Sequence, residues 1–249
     1  MDFPLLMCLT SFGLMVLATW VGDTLRKRAG APKEDGRNET GVLLGAILTL
    51  LFFIIGFSFS MAISRYDLRK NCEQAEAIAI GTMYSRADLL APAHAAKVQT
   101  LLRKYLDQRI LFYTTRRPGR ASEITADTVR LQTELWSTLR PAIPAVPAPL
   151  MGVVVSGMND VINSQRSSQA AWLNRIPVTA WALMVIIGIG CSWVIGFRWR
   201  RTDWHAFLVV PVTVSVCFFL LADLDSPRGG AIRVTPQNLS ILSQSLQAR

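Results

Sequence analysis

The sequence predicts an all-α membrane protein: four transmembrane helices, with a helical extramembrane domain between the second and third and membrane helices that continue into it. Two observations predict this class. Residues are 51% hydrophobic and only 17% charged, whereas about a quarter are charged in an ordinary soluble domain. Four stretches are also apolar for long enough to cross a bilayer core about 30 Å thick. That crossing takes roughly 20 helical residues, because the backbone polar groups must be satisfied within the segment.

Residues 1–64 read as a transmembrane hairpin with spans at 3–22 and 41–64. The first span, Phe3 to Gly22, carries no charge and ends against Asp23, Arg26, Lys27 and Arg28. A cleaved signal peptide would place its cations before the apolar run and a small-residue cleavage site after it. Here Asp2 precedes the run and the cations follow, which favours an uncleaved helix. The second span contains the core LLFFIIGF at 50–57.

Residues 177–222 read as a second hairpin with spans at 177–197 and 204–222. Pro177 suits a first helical turn, where its missing N–H costs nothing, and Pro211 predicts a kink in the last span. Residues 223–249 read as a C-terminal polar tail.

The insert, residues 65–176, reads as helices broken by proline. The second span continues without a turn signal to Pro92, so one long helix leaves the membrane. A second helix fits 93–115, where Val98, Leu101, Leu102, Tyr105, Leu106 and Ile110 recur at helical spacing. After Pro118 and Gly119, Ser122 is a candidate cap for a third helix, and a fourth at about 151–174 joins the third span with at most a kink at Pro177. Between the last two, PAIPAVPAPL at 141–150 predicts a polyproline-type connector, because each proline removes a donor and holds its predecessor extended.

Loop charge predicts orientation. Loop 23–40 carries five Lys or Arg and loop 198–203 carries three, while the N-terminus offers none. The positive-inside rule then puts both loops in the cytoplasm of a multi-pass inner-membrane protein, with the insert extracytoplasmic. The net charge of +9 is concentrated beside the spans and fits membrane lipid as partner, not nucleic acid.

Within the third span Gly188, Ser192 and Gly196 recur every four residues and form a small-residue face. Such a face serves a subunit or pore contact, or packing within one subunit. The second span offers Gly45, Thr49, Gly56, Ser58 and Ser60 as pore-lining candidates. A polar set of Arg65, Glu76, Asn159, Arg166, Asp223 and Asp225 is placed to form a belt at the membrane boundary. Glu76 stands out because alanine and isoleucine surround it, and an unpaired charge there would be costly. Glu76, Asp223 and Asp225 are alternatively candidates for a pore mouth. Arg69 and Glu73, one turn apart, read as a solvated salt-bridged surface.

No enzyme is expected, nor a metal site or cofactor. The only histidines are His94 and His205, the four cysteines show no paired spacing, and neither GxSxG nor a phosphate-binding glycine loop occurs.

The runs GVLLGAILTLLFFIIGFSFSMAISRYDLRKNCEQAEAIAIGTMYSRADLL, LLRKYLDQR, MNDVINSQRSSQAAWLNRIP and DLDSPRGGAIRV resemble the bacterial bestrophin-like domain family of membrane proteins, from about residue 41 to the C-terminus. Bestrophins are pentameric anion channels of four-span subunits whose helices continue into a large cytosolic domain. The resemblance therefore implies a homo-oligomer, five subunits, anion conduction and an insert on the cytoplasmic side, opposite to the loop charges. The sequence lacks an acidic cluster of the kind that clasps calcium in bestrophins. Two functions follow as expectations: a homo-oligomeric ion channel, or a non-conducting scaffold or envelope sensor that recruits a protein partner through its helical domain.

Overall fold

The computed structural model describes residues 4–29, 34–198 and 204–248. Among them the secondary structure is entirely helical, and four helical stretches are long and apolar enough to cross a membrane. The protein is a multi-pass membrane protein. Most of loop 198–203, on which part of the orientation reading rests, lies outside the described residues, as do residues 30–33 of the first loop.

The chain divides into two compact units. The first comprises Met1–Arg65 and Arg175–Ile232. It holds α1 (Pro4–Ala29), the first part of α2 (Glu34–Arg86), α6 (Val178–Arg198) and α7 (Trp204–Asp225). Helix α1 packs against both α6 and α7, and the unit's core gathers Met15, Leu51, Ile55, Trp181, Met184 and Phe218. The α7 helix continues through Pro211, as membrane helices can when local adjustments re-satisfy the freed carbonyl.

The second unit comprises Tyr66–Asn174 and Arg233–Arg249. It contains the rest of α2, then α3 (Pro92–Thr114), α4 (Pro118–Leu139), α5 (Ala148–Leu173) and α8 (Gln237–Gln247). Three of these helices carry a proline in their first turn, where φ is already suitable and no donor is lost. Met83, Val98, Leu102, Tyr105, Leu135, Met158 and Val161 fill the core.

Four local features differ from the sequence reading. The third insert helix begins at Pro118, so Ser122 lies one turn inside it and donates to the Gly119 carbonyl at 2.6 Å instead of capping. Residues Arg140–Ala145 form a 3-10 helix, not a polyproline rod. Prolines at 141 and 144 fit that geometry, since its φ lies near the proline value and its turn is short. Between α5 and α6 the chain leaves helical conformation at 174–177. Ile176 precedes a proline and is biased toward extended backbone, and the Pro177 carbonyl accepts from Ala180 at 3.0 Å, so Pro177 caps α6 instead of kinking a continuous helix. Only the second span therefore runs unbroken into the insert. Finally, the C-terminal polar tail read at 223–249 contains a further helix. Helix α8 buries Leu239 and Leu246 in the second unit's core and packs Leu242 against it.

Candidate functional site

Helix α2 presents two faces in the first unit. Leu44, Leu51, Ile55, Ser58 and Ala62 are buried, and their spacing of three, four and seven puts them on one side. On the other side Gly45, Thr49, Phe52, Phe53, Gly56 and Ser60 are exposed, and a Cβ built on Gly45 or Gly56 meets nothing within 4 Å. Four of the five pore-lining candidates share this outward face. Ser58 lies on the buried one. The Thr49 hydroxyl donates to the Gly45 carbonyl at 2.9 Å, so it needs no outside partner in an apolar setting.

The face of Gly188, Ser192 and Gly196 is buried against α1. A Cβ on Gly188 would stand 2.7 Å from the Met15 methyl, and one on Gly196 would overlap the Thr19 backbone. From α1, Gly22 meets the backbone of Trp193 and Phe197 in the same way. Close approach of α1 and α6 thus explains this small-residue pattern within one chain. Gly22 carries little signal in the sequence because it stands at the end of an otherwise unpatterned span.

Two carboxylates organise the turn after α7. Asp223 accepts from the backbone N–H groups of Ala231 (2.7 Å) and Ile232 (2.8 Å), and Gly230 lies so close that any Cβ would press on the Asp223 carbonyl. Asp225 accepts from the Ile176 N–H at 2.9 Å and stands 3.6 Å from an Arg65 nitrogen. Of the six polar-belt residues the structure brings together Arg65 and Asp225, and it gives Asp223 backbone partners. Asn159 and Arg166 are exposed on α5 in the second unit.

Glu76 lies in the second unit's interior with Arg109, each about 1% exposed. Arg109 donates from Nε to Oε2 at 2.7 Å and from a terminal nitrogen to Oε1 at 3.0 Å. The Tyr113 hydroxyl donates to the same carboxylate at 3.2 Å, which leaves Ser168 to donate to Tyr113 across 2.8 Å. The guanidinium lies 4.4 Å from the Phe112 ring centre, and Trp172 closes the cluster edge-on to Phe112 and Tyr113. Burial works against the Arg109 charge, but the charge and hydrogen bonds of Glu76 outweigh it and raise its pKa. Burial also lifts Tyr113 well above an ordinary phenol, with Glu76 adding to the effect, and pushes Tyr105 up to about 12. Paired networks of this kind hold helices in register.

Glu73 departs from the solvated reading as well. Both Arg69 and Glu73 are buried, and the Glu73 carboxylate accepts from Leu239 N–H at 2.9 Å and from the Asn238 side chain at 2.6 Å. It thereby caps the N-terminus of α8, where carboxylates are favoured by free N–H groups and the helix dipole. Glu76, Asp223 and Asp225 likewise have hydrogen-bond partners within their own units.

A family model of the Bestrophin-like domain matches residues 9–239. The chain belongs to the Bestrophin-like domain family. Solved structures agree on the fold at low identity. A bacterial bestrophin homolog from Klebsiella pneumoniae, solved by Zn-SAD phasing, is 15% identical with a TM-score of 0.63, covering 97% of this chain and 95% of that one. A single-substitution variant of the homolog gives a TM-score of 0.66 at 15% identity, with 98% and 97% covered. No curated protein sequence matches. In this Bestrophin-like chain the long helix α2 is shared by the span and the insert.

Proposed function

We propose that the chain assembles with copies of itself around α2 and that the outward face of α2 lines an ion-conducting path. The carrying observation is the character of that face. On α1 the outward residues are mostly large and apolar, Leu5, Leu6, Leu9, Leu14 and Leu17 beside Thr10 and Gly13, a surface suited to lipid tails. On α2 the exposed residues also include Val42, Leu43, Leu50 and Phe57, but they contain a strip of Gly45, Thr49, Gly56 and Ser60 with Phe52 and Phe53 between them, small and hydroxyl-bearing positions that suit close approach of helices or a narrow lumen. Membership in the family supports anions as cargo and five as the subunit number.

Flux into liposomes from the reconstituted full-length chain tests this reading. Gly56→Leu fills open space on the chain itself, so it leaves folding intact and should abolish flux, whereas Leu9→Ala on the lipid side should not. Equal flux from wild type and Gly56→Leu would refute the lumen assignment, and a monomer that copurifies with a stable partner would favour a scaffold. For orientation, the loop charges favour an extracytoplasmic insert in a bacterial inner membrane, and the family architecture favours the reverse. Cys72, partly exposed in the insert, distinguishes them. Labelling of intact cells by an impermeant thiol reagent, lost in Cys72→Ser, supports the loop-charge reading; labelling only after permeabilisation supports the family one.

A further inference from the structure

We propose that the first unit holds an acyl chain of a bilayer lipid in a pocket between the start of α1, the end of α7 and the turn that follows α7. The pocket has a volume of about 560 Å³ and is walled by Leu5, Leu6 and Leu9 of α1, Phe219 of α7 and Ala231 of the turn. Among the described residues Asp223 is the only ionisable group in the lining. Its two carboxylate oxygens accept from the backbone N–H groups of Ala231 and Ile232, and the N–H of Gly229, also in the lining, donates to the Ser226 hydroxyl at 3.2 Å. The polar groups thus find partners inside the turn, and what the pocket offers a ligand is chiefly hydrocarbon. A water there would have too few hydrogen-bond partners, and a bare lining forfeits its dispersion contacts.

Where the pocket opens says which hydrocarbon. Helices α1 and α7 are both long and apolar enough to cross the membrane, and they pack against each other within the first unit. Leu5, Leu6 and Leu9 are 58–64% exposed, so the pocket is continuous with the outward leucine face of α1. The 25-residue span of α1 is about 38 Å long at 1.5 Å per residue, more than a hydrocarbon core of about 30 Å. Its first turns therefore stand at the boundary where lipid chains meet their headgroups, and the solvent at the pocket mouth is lipid. The turn makes this a pocket instead of an open lipid-facing surface. Ala231 comes after α7 has ended and is held against the last turn of that helix by its bond to Asp223, and Gly230 permits this return because a Cβ there would press on the Asp223 carbonyl. The gap between two spans is thereby closed at one end by a fixed backbone.

The test places the full-length protein in phosphatidylcholine nanodiscs doped with phosphatidylcholine that carries a diazirine on an acyl chain, and maps photolabelled residues by peptide mass spectrometry. Wild type should be labelled on Phe219 and Ala231, and also on Leu14 and Leu17 of the open α1 face, which report the surrounding bilayer. Ala231→Phe keeps the backbone N–H that Asp223 accepts and fills the pocket from the turn, and Leu5→Trp fills it from α1. Both positions are exposed, so the fold should tolerate each change, with a thermal midpoint equal to wild type as the check; because they act from opposite walls, either variant alone suffices. Each should abolish the label on Phe219 and leave that on Leu17 unchanged. Phosphatidylglycerol with the same labelled chain should give the same pattern, because the site reads hydrocarbon and not the headgroup. Absence of label from Phe219 and Ala231 in wild type, as when a second copy covers the pocket, would overturn the proposal. So would a Phe219 label that survives filling, or a pattern that follows the headgroup.

Discussion

Removing one member of the Glu76–Arg109 pair gives the most demanding check on the interior of the insert. In Arg109→Met the Glu76 carboxylate loses two donors at 2.7 and 3.0 Å and keeps only Tyr113 at 3.2 Å, in a site about 1% exposed. Breaking a buried pair from one side costs about 3–5 kcal/mol, because an uncompensated charge remains, whereas replacing both members by apolar groups of similar size is often neutral. The structure thus predicts Glu76→Met and Arg109→Met each losing roughly 3–5 kcal/mol, and the double variant recovering most of that loss. For a chain of this length 1 kcal/mol shifts a midpoint by about 2–4 °C, so each single variant should melt on the order of 10 °C lower. Thermal unfolding in detergent, followed by the helical signal at a fixed scan rate, completes the double-mutant cycle. A coupling below about 0.5 kcal/mol, with the two losses simply adding, would refute the paired network.

Gly196→Leu should prevent stable folding, because its side chain would overlap the Thr19 backbone. Gly190→Leu, six residues earlier with nothing within 4 Å, should be neutral; detergent-stable yield compares them. Glu73→Ala removes the cap of α8 and should expose residues 237–247 to limited proteolysis at low protease, while Glu73→Gln, which keeps an acceptor, should be protected more nearly as wild type. Burial raises the folded Tyr105 pKa from about 10 to about 12, so its neutral form stabilises the fold fully below pH 10 and that contribution is lost as pH rises from 10 to 12. Two pKa units correspond to about 3 kcal/mol at most. Denaturant midpoints across that window should therefore fall less steeply in Tyr105→Phe than in wild type, and parallel curves would contradict the assignment.

The four spans were legible because a bilayer imposes a length and an apolarity that no tertiary contact can relax. Glu76 was legible as an anomaly, a carboxylate among Ala75, Ala77 and Ile78, but its partner lies 33 residues away and depends on how α3 lies along α2. The available signal was Arg109 itself, a lone cation in the apolar series Val98, Leu102, Tyr105 and Phe112. Helix α8 was missed because QNLSILSQSLQ is short and polar on average; Leu239, Leu242 and Leu246, spaced three and four apart, were its only mark. The small face of α6 was visible in sequence, whereas its partner α1 was not, since Gly22 is a single glycine and the contact is between backbones. The prolines at 141–150 misled because extended and 3-10 backbones both accept their fixed φ.

Assembly around α2 is the claim on which the functional reading depends, and imaging of single particles of the full-length chain in lipid nanodiscs tests it most directly. Such assembly predicts a closed ring of identical subunits in which Gly45, Thr49, Gly56 and Ser60 of every copy face a central axis. A monomer, or a ring in which that face of α2 is turned outward to lipid, would contradict it.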